Sequence, residues 1–185
     1  MHQHRQQLWA QIVTEVVSQY QTLESAEKVW LQPMLHEIAA LQQQLDRLFM
    51  TAAGEQHCAR CAGDCCSAGH HHMTLVNLLQ YISRQEQPPE PDFNLCCPFL
   101  ADRGCVLPAA RRPYNCISFI CDIIESSLKA EQVTEFYRLE GRLRQLYLAV
   151  ARRYQGAAMT GLLLQYGRLQ GHSFFSVRDQ IDAEG

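Results

Sequence analysis

Nine cysteines confined to one part of a 185-residue chain constrain its fold more than any other sequence feature. All of them lie between Cys58 and Cys121, and all but one of the seven prolines lie between Pro88 and Pro113. The flanking segments lack cysteine and carry apolar residues at helical spacing. Because proline interrupts helices, we expect a mainly α protein in which a helical bundle flanks a loop-rich cysteine module.

The composition divides the chain into three predicted segments. Residues 1–53 carry two apolar stripes at spacings of three and four residues, which predict an N-terminal amphipathic helical hairpin. Ser25 is a suitable N-cap for the second of these helices, and Pro33 is expected in its early turns. Residues 54–121 form the cysteine-rich module. Residues 122–185 predict C-terminal helices that pack on the module, followed by a polar tail.

Three local elements are predicted inside the module. Thr74 is a suitable N-cap for a short helix with an apolar face that begins at Leu75. Short apolar runs on both sides of Asp102-Arg103-Gly104 are compatible with a small β-hairpin. One further short helix is expected after Cys116.

The charge and the hydropathy pattern narrow the classes of function. No apolar run reaches the roughly 18 residues that span a membrane, and the N-terminal sequence lacks the pattern of a secretory signal, so a cytoplasmic location without membrane contact is expected. A net charge of −3 gives no basic excess that would favour nucleic acid. The expected partners are metal ions, and a protein partner is compatible with the sequence. The sequence does not indicate the oligomeric state.

The cysteine spacing favours metal binding. Disulfides are disfavoured in a reducing compartment, and thiols that only filled a core would be scattered among the helical stripes. Two cysteines separated by two residues, as Cys58 and Cys61 are, can reach one ion from a tight turn. Cys65 and Cys66 follow closely, and a second group lies further along the chain. That second group comprises Cys96, Cys97, Cys105, Cys116 and Cys121.

Four motifs occur in the order seen in a known family. They are C-x-x-C-x-x-x-C-C at 58–66, CPFL at 97–100, Gly104-Cys105, and RP-x-x-C at 112–116. In these motifs residues 55–120 resemble the CxxCxxCC, or YkgJ-like, family of zinc- or iron-chelating domains. Pro108 stands where that family carries a tyrosine, and Ile117 where it tends to carry an arginine. The resemblance implies metal ligation by Cys58, Cys61, Cys65, Cys66, Cys97, Cys105 and Cys116, with Cys121 as the candidate for an eighth ligand.

Two functions are compatible with this ligand set. The first is a metal-binding protein in which a zinc or iron ion, held by the cysteines, organises the module. The second is an iron-sulfur-dependent enzyme similar to the flagellin lysine methylase relatives of the family, which implies methyl transfer. A closed four-cysteine zinc site offers no open position, whereas an iron-sulfur cluster implies redox chemistry or an open iron. The sequence does not decide between them, and no catalytic residue can be named.

Several neighbouring residues have two interpretations each. His57, His70 and His72 could bind metal or face solvent, although neighbours in an extended stretch point to opposite sides, so that at most His70 and His72 share a face. Arg112 could compensate thiolate charge or be an ordinary surface residue. Cys96, beside the motif residue Cys97, is expected to be packed or spare.

Overall fold

The computed structural model describes residues 2–60, 69, 72–101 and 104–177. This part of the chain is mainly helical with one small antiparallel hairpin, which confirms the predicted fold class. The elements, in chain order, are α1 (His2–Thr22), α2 (Ser25–Thr51), α3 (Gly54–Arg60), α4 (Leu75–Ile82), β1 (Leu100–Ala101), β2 (Gly104–Cys105), α5 (Tyr114–Ser118), α6 (Asp122–Ser126), α7 (Ala130–Arg153) and α8 (Leu162–Leu169). Short 3₁₀ turns occur at Ala109–Arg111 and Gln155–Ala157.

The core is built around the two longest helices. α2 packs along α7, and both bury the stripes that the sequence indicated. The two N-terminal helices form as predicted, but α1 contacts chiefly α8 and α4, so the two ends of the chain meet in one core. In the part of the chain that the structure describes, no helix is both long and apolar enough to cross a membrane.

Pro33 lies in the early turns of α2 as predicted, but the predicted N-cap is wrong, because Glu24 rather than Ser25 occupies that position. α2 begins at Ser25, which places Pro33 in the third turn and leaves one backbone carbonyl without its helical partner. Leu31 and Leu35, on either side of the proline, are both buried in the core. We attribute the continuity of the helix to this packing, because tertiary burial routinely overrides local propensity.

A sharp change of direction separates α2 from α3 and positions the first described cysteine. Ala53 adopts a left-handed conformation with φ of 52°, which ends α2. Gly54 then lies directly on the ring of Phe49, where a Cβ atom would come within 2.4 Å of the ring. A larger residue at this position would require the Phe49 ring to move.

The short elements of the module partly follow expectation. Thr74 caps α4 as predicted, and its backbone N–H and hydroxyl both donate to Oδ1 of Asn77, at 3.0 and 2.7 Å. The hairpin is confirmed, with Leu100 opposite Cys105 and Ala101 opposite Gly104. The prediction of one helix after Cys116 is wrong, because Phe119 is extended and separates α5 from α6.

Candidate metal centre

The described cysteines of the predicted site lie on separate short elements. Cys58 is on α3, Cys97 precedes β1, Cys105 is on β2, Cys116 is on α5, and Cys121 immediately precedes α6. α3 contacts both β2 and α6, so the elements that carry Cys58, Cys105 and Cys121 adjoin one another. Cys58 lies in the last turn of α3, and the predicted tight turn between Cys58 and Cys61 extends beyond the described residues. No two of the six described cysteines form a disulfide with each other.

The hairpin brings Cys97 and Cys105 close together. Cys97 is buried, and burial is the main cause that raises the pKa of its thiol. The backbone N–H of Phe99 donates to this sulfur and lowers the pKa, while the nearby Cys105 and Cys96 raise it. A backbone N–H two residues after a cysteine is a donor that stabilises a metal-bound thiolate. The local geometry of Cys97 therefore suits a ligand that is deprotonated only when metal is bound.

Gly69 packs directly against Cys97. A Cβ atom on Gly69 would lie 2.5 Å from the Cys97 Sγ and 3.0 Å from its Cα, which no side chain could tolerate without movement. The requirement for glycine here is steric, because the chain must pass over the sulfur. The close approach fixes the position of Gly69 itself against Cys97 of the second cysteine group.

His72 meets a second cysteine of that group. Its Nδ1 lies 3.2 Å from the Sγ of Cys116, although 44 positions separate the two residues in the chain. The Cys116 thiol is solvent-exposed, and it is also near the buried hydroxyl of Tyr147. Burial is the main cause that raises the pKa of Tyr147, so its hydroxyl stays protonated beside Cys116.

A buried polar cluster holds the cysteine-bearing segment onto the bundle. Asn77 is fully buried, and its Nδ2 donates to the backbone carbonyl of Arg112 and to the Tyr147 hydroxyl, each at 3.0 Å. Gln42, also fully buried, donates to the same Arg112 carbonyl. These side chains come from α4, α2 and α7. Asn77 on α4 and Gln42 on α2 therefore fix the backbone just before α5 and, with it, the position of Cys116. Tyr147 on α7 accepts a bond from Asn77.

The side chain of Arg112 has a structural role. Its Nε donates to the carbonyl of Leu107 at 3.2 Å, and its NH1 pairs with Asp46 on α2 at 3.2 Å. It is about four-fifths buried, so the alternative of an ordinary surface arginine is wrong. The guanidinium therefore binds a backbone carbonyl and a carboxylate, and these two bonds hold the loop between the hairpin and α5.

The neighbouring Arg111 contacts Tyr81 and Glu86. Its guanidinium stacks on the ring of Tyr81, 4.3 Å from the ring centroid, and forms an ion pair of 2.5 Å with Glu86. The hydrogen bond from Arg111 is the main cause that lowers the pKa of Glu86. Tyr81 lies near Cys105, and burial is the main cause that raises the pKa of its hydroxyl, while the adjacent Arg111 lowers it.

The structure describes only some of the remaining cysteines and histidines. Cys96 is exposed, so it is not packed in the core. Cys61, Cys65 and Cys66, and also His70, lie outside the described residues. Within the described residues, no three histidine, cysteine or acidic side chains are grouped closely enough to hold one metal ion.

Sequence reasoning missed the residues that support the cysteines. Asn77, Gln42 and Tyr147 are isolated polar positions on apolar helix faces, which is the signal that could have singled them out. Polar groups seldom occur on a buried stripe unless they have a partner. The common acceptor of Asn77 and Gln42 is the Arg112 carbonyl, a backbone atom that no sequence pattern indicates. Tyr147 is linked to it through Asn77.

Comparison with protein-family models, with curated proteins and with solved structures found no significant match to this chain. The resemblance to the CxxCxxCC family therefore stays a prediction based on the motifs alone.

Proposed function

We propose that this chain is a cytoplasmic metal-binding protein in which clustered cysteines hold zinc or iron and the metal organises residues 54–121. The proposal includes membership of the CxxCxxCC family. Its ligands are Cys58, Cys61, Cys65, Cys66, Cys97, Cys105 and Cys116, with Cys121 as a candidate eighth. Its partners are metal ions, and we propose no nucleic acid or membrane partner.

One observation carries the proposal: both flanks of the segment that contains Cys61, Cys65 and Cys66 meet cysteines of the other group. The segment follows α3, which carries Cys58 and packs on the strand of Cys105. It is followed by Gly69, which lies on Cys97, and by His72, which lies on Cys116. Described residues on both sides of this segment therefore lie against elements that carry cysteines of the second group, which supports the proposal.

The chemistry of the described donors fits a thiolate-bound metal. Zinc and iron take up cysteine as the deprotonated thiolate, so binding releases protons and becomes stronger as pH rises. The buried Cys97 thiol with its raised pKa is protonated without metal, and the Phe99 N–H supports the thiolate once it forms. A zinc ion held in this way supplies cross-links between elements too short to be stable alone.

The decisive experiment is metal analysis of the protein purified without oxygen. We expect stoichiometric zinc or iron, which is lost together with structure in the module when a chelator is added. A colourless protein with zinc and no acid-labile sulfide supports the organising role. Iron with sulfide and a brown colour supports instead the iron-sulfur enzyme that the sequence left open. A folded protein with no metal and nine titratable thiols would refute the proposal.

A further inference from the structure

We infer that His72 and Cys116 bind one and the same metal ion, through Nδ1 and Sγ respectively. The inference rests on the proposed metal-binding function and adds a nitrogen ligand to a site that the motifs describe as all-cysteine. It also assigns a specific partner to one member of the histidine run, for which the sequence left several interpretations open.

The separation of the two donor atoms fits ligands of a common ion. Zinc binds sulfur at about 2.3 Å and imidazole nitrogen at about 2.0–2.1 Å, so in a tetrahedral site these atoms are about 3.5 Å apart. The observed separation is 3.2 Å. An ion can therefore reach its ordinary bond length to both atoms after a shift of a few tenths of an ångström.

The two side chains are positioned independently of each other. Cys116 lies on α5, whose approach is fixed by the bonds from Asn77 and Gln42 to the Arg112 carbonyl. His72 lies two residues before Thr74, which caps α4, and its backbone N–H donates to the carbonyl of Gly69 at 3.2 Å. Because each donor is held by its own backbone contacts, little conformational freedom is lost when metal binds both.

Metal binding by His72 and Cys116 releases one proton. Without metal, the short contact between nitrogen and sulfur accommodates one shared proton. When a divalent ion binds, it takes the place of this proton, which is released to solvent, and both atoms become ligands. The ring then carries its remaining proton on Nε2, which is the nitrogen not bound to metal.

Variants of His72 distinguish ligation from a hydrogen bond to the sulfur. We expect His72→Ala to weaken zinc binding at least tenfold in competition with a chelator. We expect His72→Cys to recover binding and, with Co²⁺ as the probe, to add thiolate-to-cobalt charge-transfer absorption relative to the wild type. A histidine that only donates to sulfur would lose affinity on substitution, but cysteine in its place would add no such absorption.

His36→Ala is the matched control. This histidine is exposed on α2, outside the cysteine module, and its replacement should leave the Co²⁺ spectrum and the zinc affinity unchanged. A long-range ¹H–¹⁵N spectrum gives a second readout that does not depend on a variant folding. Zinc should fix the His72 ring as the tautomer with its proton on Nε2.

The outcomes separate this inference from the function on which it rests. A wild-type protein that takes up neither zinc nor Co²⁺ would overturn both. A metal-loaded wild type whose Co²⁺ spectrum and zinc affinity are unchanged by His72→Ala would overturn the role of His72 and leave the cysteine site standing. A His72→Cys variant that binds metal without additional charge-transfer absorption would likewise overturn ligation by His72.

Discussion

The two long helices α2 and α7 bury large apolar side chains along their length, whereas the elements that carry the cysteines are short and leave apolar side chains in water. Phe136 and Leu45 are fully buried in the bundle. In the cysteine module, Val106 and Phe119 are each about half exposed. Phe99 and Leu107 of the same module, in contrast, are buried in the same core as the bundle. The hydrophobic effect thus contributes to both regions, and the module is held in addition by buried hydrogen bonds and, as we propose, by metal.

This difference matters because stability in the two regions should respond to different changes. A bundle stabilised by area removed from water is sensitive to loss of volume. A module whose backbone is attached by a few polar side chains is sensitive to loss of single donors, because each acceptor left without a partner in the interior is costly. The predictions below test this contrast, from the largest expected effect to the smallest.

The largest effect is expected in the bundle. Phe136→Ala should lower the free energy of unfolding by about 3–5 kcal/mol, because a fully buried ring is replaced by a cavity. Chemical denaturation monitored by far-ultraviolet circular dichroism measures this change. Metal content should stay at the wild-type level under conditions where the variant is folded.

The control for this change is Val29→Ala on α2. Val29 is 70% exposed, so its truncation should alter stability by no more than about 0.5 kcal/mol. If Phe136→Ala behaved like Val29→Ala, the bundle core would not carry the stability assigned to it.

Asn77→Ala should have a smaller effect on stability, but it should also weaken metal binding. The change removes hydrogen bonds to the Arg112 carbonyl and the Tyr147 hydroxyl, and it should lower the free energy of unfolding by about 2–3 kcal/mol. Because the same bonds fix the approach to α5, zinc affinity should fall as well. Chelator competition and denaturation should be measured on the same samples.

Asn94→Ala provides the comparison for that experiment. Asn94 is exposed, and its side chain donates a hydrogen bond to the nearby Asp92. The free energy of unfolding and the zinc affinity of Asn94→Ala should therefore stay near the wild-type values. Loss of stability in Asn77→Ala with unchanged zinc affinity would argue against coupling between the polar cluster and the cysteines.

A pH-dependent contribution is expected from Glu27 on α2. Its pKa is lowered below the ordinary value near 4.5, chiefly by the hydrogen bonds from Arg153 and also by that from the Tyr154 hydroxyl, while partial burial opposes the shift. A carboxylate whose pKa is depressed by folding contributes stability above its unfolded pKa and loses it as pH falls through the folded value. Glu27→Gln should therefore cost about 1–2 kcal/mol near pH 7 and progressively less below pH 4.5.

Glu135→Gln is the exposed counterpart of this variant. Glu135 pairs with Arg138 on the surface of α7, where solvent screens the interaction, so the pH-dependent difference from wild type should be much smaller. Equal pH profiles for the two variants would show that the Glu27 cluster is no stronger than a surface pair. Thermal melts between pH 3 and pH 8 supply both profiles.

The success of sequence reasoning differed between the two regions for the same physical reason. The bundle helices were predictable because burial imposes a period on apolar residues, and Thr74 was predictable because a cap has a local signature. α3 was missed because seven residues are too few to show a period. The contact between His72 and Cys116 could not be foreseen, since it depends on a loop path fixed by Asn77 and a backbone carbonyl.

The smallest effect is expected for Cys96→Ser, which tests the boundary between the two regions at adjacent positions. Cys96 is exposed, whereas Cys97 is buried, accepts a hydrogen bond from Phe99 and lies against Gly69. Cys97→Ser should therefore abolish stoichiometric zinc binding, while Cys96→Ser should leave zinc content and the unfolding transition unchanged. Metal analysis of both variants purified without oxygen decides the matter. Equal loss of zinc in both would place Cys96 among the ligands and would show that side-chain exposure does not separate a ligand from a spare thiol.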